Sequence, residues 1–376
     1  MPSIRRHGAG YQARYRDPAG RQRGKTFRTK REASAFLARV EADKQRGTFV
    51  DPQLSRVRFE DWAAEWWETS TSHLKPRTRE GYLSLLRRHL VPTFGRYPLQ
   101  AITPPQVKSF ITALDRQGMS ASRQRQTYRL LSMILKAAVE AGCLGRSPCI
   151  GVKIKRHQPP EQVILTPEQV GILAVALGTP NDLLCYVLAF GGLRWGEAAA
   201  LRRSRCDVTR SRVQVVESLA EVGGRLHFGP TKTYARRWVR LPKSVAQTLG
   251  QHLARIVRAD PSALVFTSPQ GGPLRSPNFR RRVWNPAVHL AGEALPDGLT
   301  PHHLRHSCAS LLIQQGASVK AVQQQLGHST PTVTLNVYAH LFEDDLEGLY
   351  QGLDERLESI IRPSDVAKMW PSEPSR

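Results

Sequence analysis

Acidic residues are scarce in this chain of 376 residues. There are 31 Asp and Glu against 55 Lys and Arg, giving a formal net charge of +24 and a pI near 10.6. Such a balance points to a polyanionic partner, but it does not by itself separate ribosomal RNA, an anionic membrane surface and DNA. Long apolar runs are also missing. None approaches the ~20 residues that a membrane helix needs, so no membrane partner is expected. The opening MPSIRRHGAG has no apolar h-region, and a secretory signal is not expected. Cysteines are few and unpaired in spacing: Cys143, Cys149, Cys185, Cys206 and Cys308 are an odd number with no C-x-x-C. This argues against a disulfide framework or a zinc ribbon and fits a reducing cytoplasm. A GxxxxGK[ST] loop is absent, as is H-E-x-x-H.

What is present suits a folded, multidomain protein. The chain is 40% hydrophobic and 23% charged, and its length predicts two or three domains at ~150 residues each. The basic residues are spread along it, as in a protein that wraps a long polyanion with several surfaces. Salt-sensitive nucleic-acid binding by counterion release is the expectation.

The first segment reads as a small sheet followed by a helix. Tyr11, Ala13 and Tyr15 alternate with Gln12, Arg14 and Arg16, one face apolar and one basic. Asp17-Pro18-Ala19-Gly20 signals a turn, and a strand around Gly24 to Arg28 closes a hairpin. Thr29 and Glu32 have capping-box spacing ahead of Ala33, Phe36, Leu37 and Val40. The face carrying Arg14 and Arg16 suits a DNA groove; it also suits a solvated basic surface. From Val57 to Gly142 the pattern is helical, with an aromatic stripe of Phe59, Trp62, Trp66 and Trp67. That stripe reads as core rather than as a base-stacking platform. Ser120 to Glu140 predicts a long helix with Arg123, Arg125 and Arg129 outward in its first half, candidates for DNA contact. Lys153 to Pro160 (KIKRHQPP) reads as a linker. A second large unit begins at Leu165. Thr166-Pro167-Glu168 starts a helix there, strands follow over Val213–Glu217, near Leu226 and over Trp238–Leu241, and helices dominate from Pro277.

Four patterns in this second unit carry chemistry. Gly192-Leu193-Arg194-Trp195-Gly196-Glu197 sets an arginine between glycines at a helix break. Lys232 lies in a turn beside strands. His302 and Arg305, three apart, share a helix face. His328, in Leu326-Gly327-His328-Ser329, is followed ten residues later by Tyr338. Each alone has a plain alternative. Arg194 can simply pair with Glu197, a surface lysine usually does nothing, and a tyrosine is usually packing. His302 and His306 are spaced for a metal, but the zincin glutamate is missing and Arg305 repels a cation, so no metal or cofactor is expected. Together the residues are the set that phosphoryl transfer without a metal needs. Planar guanidinium groups match phosphate oxygens and stabilise the charge added in a five-coordinate transition state. Histidines add hydrogen bonds or shuttle a proton. A lysine can protonate a leaving oxygen. A tyrosine can hold the phosphoryl group covalently, so that resealing needs no ATP.

On these residues the chain resembles the tyrosine recombinase (phage integrase) family, most specifically over Arg194 to Tyr338. The resemblance assigns catalytic places to Arg194, Lys232, His302, Arg305, His328 and Tyr338. His303 stands where the family often has Asp. The resemblance implies a site-specific recombinase that cleaves and rejoins DNA through a 3′-phosphotyrosine, to integrate or excise a phage or mobile element. The implied fold is multidomain and mainly α with small β-sheets (α+β). Residues 1–50 would be an arm-type DNA-binding domain of a three-stranded sheet plus a helix. Residues 57–145 would be an all-α core-binding, SAM-like domain. A linker would cover 153–164 and a mixed α/β catalytic domain 165–362, with a flexible tail over 363–376. Partners implied are double-stranded DNA at core and arm sites, a homotetramer on DNA, and DNA-bending and directionality accessory proteins. The implied location is the cytoplasm of a bacterial host, at the nucleoid. Leu346, Leu349, Leu353, Leu357 and Ile360 form an apolar stripe beyond the tyrosine. It reads either as a helix packed on its own domain or, as in the family, as one exchanged with a neighbouring protomer. Two other functions stay open: a DNA-binding accessory protein without turnover, and a type IB topoisomerase-like strand transferase.

Overall fold

The computed structural model describes residues 2–16, 20–45, 54–155, 162–231, 236–343, 350–351 and 353–358, with backbone alone over 340–343. Lys232, Leu346, Leu349, Ile360 and the tail from 363 lie outside the described residues. The chain divides into two compact units, 1–159 and 160–376. It is mainly helical with small antiparallel sheets, the α+β class expected.

The first unit holds two separate hydrophobic cores. Strands β1 (Ser3–His7), β2 (Gly10–Arg16) and β3 (Gln22–Phe27) form an antiparallel sheet in that order. The alternation in β2 is real: Ala13 and Tyr15 are buried against Ala33, Leu37 and Val40 of helix α1 (Lys30–Gln45). The capping box forms as spaced, with Thr29 N–H donating to Glu32 Oε2 at 3.3 Å and Glu32 N–H to Thr29 Oγ1 at 3.2 Å. The alternation pattern missed β1. Its sequence SIRRH offers only Ile4 to the core, so as an edge strand it has no apolar rhythm to read.

The second core is helical. Helices α2 (Phe59–Ser70), α3 (Pro76–Leu85) and α4 (Val91–Phe94), the last two joined by a π turn at Leu86–Leu90, pack with α5 (Pro104–Arg116) and α6 (Ala121–Glu140). Pro104 and Pro105 sit at the start of α5, where a missing N–H costs nothing. The Trp stripe is core: Trp62, Trp66 and Trp67 are buried, and Trp62 Nε1–H donates to Ile134 O at 3.0 Å. Ser120 caps α6, and Gly142, at φ 73°, ends it.

In the second unit, α7 (Pro167–Leu177), α8 (Asn181–Gly191) and α9 (Trp195–Ala199) precede the strands. Thr166 caps α7 as its sequence predicts, accepting from Gln169 N–H at 3.3 Å. The strands make two sheets. One is β4 (Cys206–Asp207), β5 (Arg212–Val215) and β8 (Arg237–Arg240), and the other is β6 (Glu217–Val222) with β7 (Arg225–Pro230). The sequence run Val213–Glu217 is therefore divided at Val216. Gly223 and Gly224, both at positive φ, fold β7 back onto β6 alone, while β8 returns to pair with β5. Helices α10 (Lys243–Arg255), α11 (Ser276–Phe279) and α12 (Asn285–Ala291) follow. Helices α13 (Pro301–Gln314), α14 (Val319–Leu326) and α15 (Pro331–Glu343) come next, and residues 350–351 and 353–358 are helical as well. In that last stretch, Leu353 and Leu357 are about half exposed, at 51% and 49%.

Candidate active site

The site is built where helix ends meet. Helix α8 ends at Gly192, which takes the left-handed conformation at φ 69°, and α14 ends at Gly327, also φ 69°. Arg305, on α13 and only 3% exposed, reaches both ends: Nη1–H donates to Gly192 O at 2.6 Å and Nη2–H to Leu326 O at 2.8 Å. Two helix C-termini, each carrying partial negative charge, thus hold one buried cation. Burial and the neighbouring Arg194 push the Arg305 pKa below the usual guanidinium range, to about 9, while Glu197 pulls it back up. It stays charged at neutral pH.

Arg194 sits at the N-cap of α9. Its Nη1–H donates to Glu197 Oε1 at 2.8 Å, and its Nη2–H reaches Gly327 O at 3.4 Å. The pairing with Glu197 that its sequence position suggested is present. It fixes the guanidinium beside the segment that carries His328. The glycines of this motif have a steric cause. A Cβ on Gly196 would lie 2.5 Å from Ser218 Oγ and 2.6 Å from Leu219 O, and one on Gly192 would lie 2.5 Å from Leu326 Cδ2. Close packing of α9 on β6, and of α8 on α14, leaves no room for a side chain at either position.

His328 follows Gly327. Thr334 Oγ1, fully buried, lies 2.9 Å from His328 Nδ1. With the hydroxyl donating, the ring proton sits on Nε2. Burial, then Arg305, Arg194 and Arg237, push the His328 pKa down to about 4, so the ring is neutral at pH 7. His302 is exposed, yet desolvation by the neighbouring protein, then the charges of Arg305 and Arg194, lower its pKa too. Tyr338, on α15, is 2% exposed, and burial raises its pKa to about 12. Its hydroxyl lies 2.7 Å from His306 Nδ1, and the His306 ring stands edge-on to His302 with centroids 4.8 Å apart. Hydrogen bonds and ring contacts therefore bring Arg194, His302, Arg305, His328 and Tyr338 to one place. Lys232 lies outside the described residues.

Three partners go beyond what the sequence marks for this site, His306 being marked there only by its metal-like spacing from His302. Arg237, on β8, meets Glu197 with both its terminal nitrogens, at 3.1 and 2.7 Å, and its Nε–H donates to Gln325 O at 3.2 Å. Its stem crosses Gly327, where a Cβ would lie 2.7 Å from Arg237 Cδ. His306 and Thr334 are the others. His303, the departure from the family pattern, acts locally. Thr300 N–H donates to its Nδ1 at 3.2 Å, which caps α13. A neutral imidazole does there what a carboxylate can do, and burial lowers its pKa accordingly.

The candidate DNA-contact residues are dispersed over two elements of the first unit. Arg16 is exposed, and half-buried Arg14 donates through Nε–H to Gln12 Oε1 at 3.1 Å. On α6, Arg125 and Arg129 are exposed and Arg123 is half-buried; Arg125 Nη2–H donates to Lys155 O at 3.1 Å. Among the described residues, no helix is long and apolar enough to cross a membrane.

Comparison with known proteins gives one consistent answer. Three family models match: the phage integrase family over 164–344, the phage integrase N-terminal SAM-like domain over 58–114, and the phage integrase N-terminal domain over 3–46. The integrase of Mycobacterium phage D29 is 27% identical over 351 residues, covering 89% of this chain and 91% of that protein. Among solved structures, the Tn1549 transposon integrase in complex with transposon right end DNA superposes with a TM-score of 0.70 at 21% identity, covering 79% of this chain and 100% of that one. The lambda integrase tetramer bound to a Holliday junction gives a TM-score of 0.58 at 20% identity, covering 88% and 93%.

Proposed function

The chain belongs to the phage integrase family, and from that premise we propose how its residues cut and rejoin DNA. It is a tyrosine recombinase, a site-specific integrase. In the proposed reaction the Tyr338 oxygen attacks the scissile phosphorus. A 3′-phosphotyrosine bond forms and the bond to the 5′-oxygen breaks. Arg194 and Arg305 neutralise the non-bridging oxygens, whose charge grows in the transition state. His302 and His328, neutral at pH 7, donate hydrogen bonds to the same oxygens. Lys232 supplies the proton that the leaving 5′-oxygen takes up. Rejoining reverses each step on a new 5′-hydroxyl.

The observation that carries this reading is the paired anchoring of Arg305 on Gly192 O and Leu326 O, with Arg194 reaching Gly327 O. Two guanidiniums held by backbone carbonyls cost no reorganisation when charge develops. The domain plan follows. Residues 1–50 take arm-type sites through Arg14 and Arg16, 57–145 clamp core DNA through Arg123, Arg125 and Arg129, and 165–362 carry the chemistry, with 153–164 linking them. Four protomers assemble on two DNA partners, as the lambda integrase does on a Holliday junction. Helix exchange beyond Tyr338, DNA-bending and directionality proteins, and a bacterial cytoplasmic setting complete the proposal.

The test is recombination between plasmids carrying the DNA that flanks the coding region. Joint molecules that need both partner sites support an integrase. Relaxation of supercoils with no dependence on paired sites would favour the topoisomerase-like reading, and binding with no strand joining would favour the accessory one.

A further inference from the structure

Tyr338 has an activation problem that the residues assigned above leave unsolved. Its phenol is buried, and burial holds its pKa near 12. At pH 7 only about one molecule in 10⁵ would carry the phenolate. A phenol that attacks phosphorus must lose its proton as the new bond forms, so an acceptor has to stand within hydrogen-bond reach. The two guanidiniums are donors only. Lys232, in the role proposed for it, gives a proton rather than taking one. His328 Nδ1 is engaged by Thr334.

One group is in place. His306 Nδ1 lies 2.7 Å from the Tyr338 hydroxyl, across 32 residues of sequence. We propose that His306 is the general base for Tyr338, a further catalytic residue that takes the phenol proton during cleavage and returns it during rejoining. The inference rests on Tyr338 being the nucleophile.

The proton inventory closes. In cleavage the O–H bond of Tyr338 breaks, its electron pair goes to the new P–O bond, and the proton goes to His306 Nδ1. The 5′-oxygen leaves with its own electron pair and takes a proton from the general acid. In rejoining the 5′-hydroxyl gives a proton back to that acid, and the departing phenolate recovers its own from His306.

The surroundings of His306 fit this cycle. Burial, then His302, His303, Arg305 and His328, hold its pKa down at about 4, so the ring is neutral and Nδ1 is available to accept. In the resting protein the proton stays on the phenol oxygen. It moves only as that oxygen becomes a phosphoester oxygen and loses its basicity. The incoming phosphodiester also brings negative charge beside Arg305 and Arg194, which offsets the cations that disfavour an imidazolium. His302 touches His306 edge-on, with centroids 4.8 Å apart, and so packs the base in place.

The test is single-turnover cleavage of a nicked suicide substrate, read as covalent protein–DNA adduct on a denaturing gel. His306→Asn keeps a hydrogen-bonding atom near Nδ1 but is not basic. It should bind DNA as the unchanged protein does, melt within a few degrees of it, and form adduct about 100-fold more slowly or worse. His306→Ala should lose as much and regain part of the rate with added imidazole, which a merely structural role would not produce. Should His306→Ala fail to fold, His306→Asn and a more acidic fluorotyrosine at 338 carry the test. The fluorotyrosine should restore much of the rate lost in His306→Asn. A His306→Asn rate within about threefold of the unchanged protein would overturn the proposal. Tyr338→Phe runs alongside: adduct from that variant would remove the nucleophile assignment itself, a different result from failure of the base.

Discussion

Glu197 accepts both terminal nitrogens of Arg237, at 3.1 and 2.7 Å, while a third hydrogen bond at 2.8 Å ties it to Arg194. A carboxylate whose side chain is 1% exposed is thus shared by two arginines, one proposed to touch phosphate and one that braces it. Burial alone would raise the Glu197 pKa. The Arg237 hydrogen bonds and charge, with Arg194 adding to them, bring it down to about 2.

That depression makes a pH prediction. The folded-state pKa lies below the ordinary carboxylate value of 4.5, so the stabilisation is complete above about pH 4.5 and fades as pH falls toward 2. The shift corresponds to about 3 kcal/mol. Glu197→Gln should remove that acid-sensitive component, so that its unfolding free energy varies less with pH between about 5 and 2. Glu197→Ala, which leaves Arg237 without its carboxylate, should cost about 3–5 kcal/mol at pH 7. Urea unfolding across pH checks both. A stability curve for Glu197→Gln parallel to the unchanged protein would contradict the arrangement.

Gly196 should not tolerate even a methyl group. Its Cβ would meet the Leu219 carbonyl oxygen at 2.6 Å, and backbone cannot swing aside as a long side chain can. Gly196→Ala is expected to destabilise by about 1–3 kcal/mol. Cleavage should fall as well, because α9 carries Arg194 at its cap. Thermal melting and adduct formation read the two effects separately.

Lys232→Ala tests the proposed general acid. Cleavage of an ordinary suicide substrate should slow by about 10²–10⁴-fold. A 5′-thio leaving group, which needs no proton, should recover most of that loss. Slow cleavage without thio rescue would assign the proton donor elsewhere.

The arginines of the first unit predict a salt signature. If Arg125 and Arg129 each neutralise a phosphate, each substitution by Ala should flatten the slope of log K against log salt by about 0.9 on core-site duplex. Arg14→Ala and Arg16→Ala should do the same on arm-site duplex only. Unchanged slopes, measured by anisotropy titration over a salt series, would remove these residues from the contact surface.

Much of this molecule is legible in its sequence because the informative signals are local. The Thr29–Glu32 capping box, the helix start at Thr166-Pro167-Glu168, the period of two in β2 and the Trp stripe of α2 are fixed by neighbours within a turn or two. Arg194, His302, Arg305, His328 and Tyr338 could be singled out as a set because they stand in a few short patterns, His302 and Arg305 sharing one and Tyr338 following His328. What stayed hidden is long-range. Arg237 meets Glu197 across 40 residues, and His306 meets Tyr338 across 32. Arg237 has no local pattern to mark it, and the i, i+4 spacing of His306 with His302 suggests a metal pair rather than a partner for Tyr338. Edge strand β1 has no pattern of its own and is expected only through the three-stranded sheet that the family resemblance implies, while the division of the later strands into two sheets was hidden, since strand partners are chosen by chain return and not by composition. The glycines 192, 196 and 327 were visible as motif letters, but their cause lies in contacts with Leu326, Leu219 and Arg237.

The most direct measurement is to trap the covalent complex on a suicide substrate, digest the protein, and locate the nucleotide-bearing peptide by mass spectrometry. The expected result is a phosphodiester on Tyr338 alone, joined to the DNA 3′ end, and no adduct from Tyr338→Phe despite normal DNA binding. A nucleotide found on another residue, or an undiminished adduct in Tyr338→Phe, would contradict it.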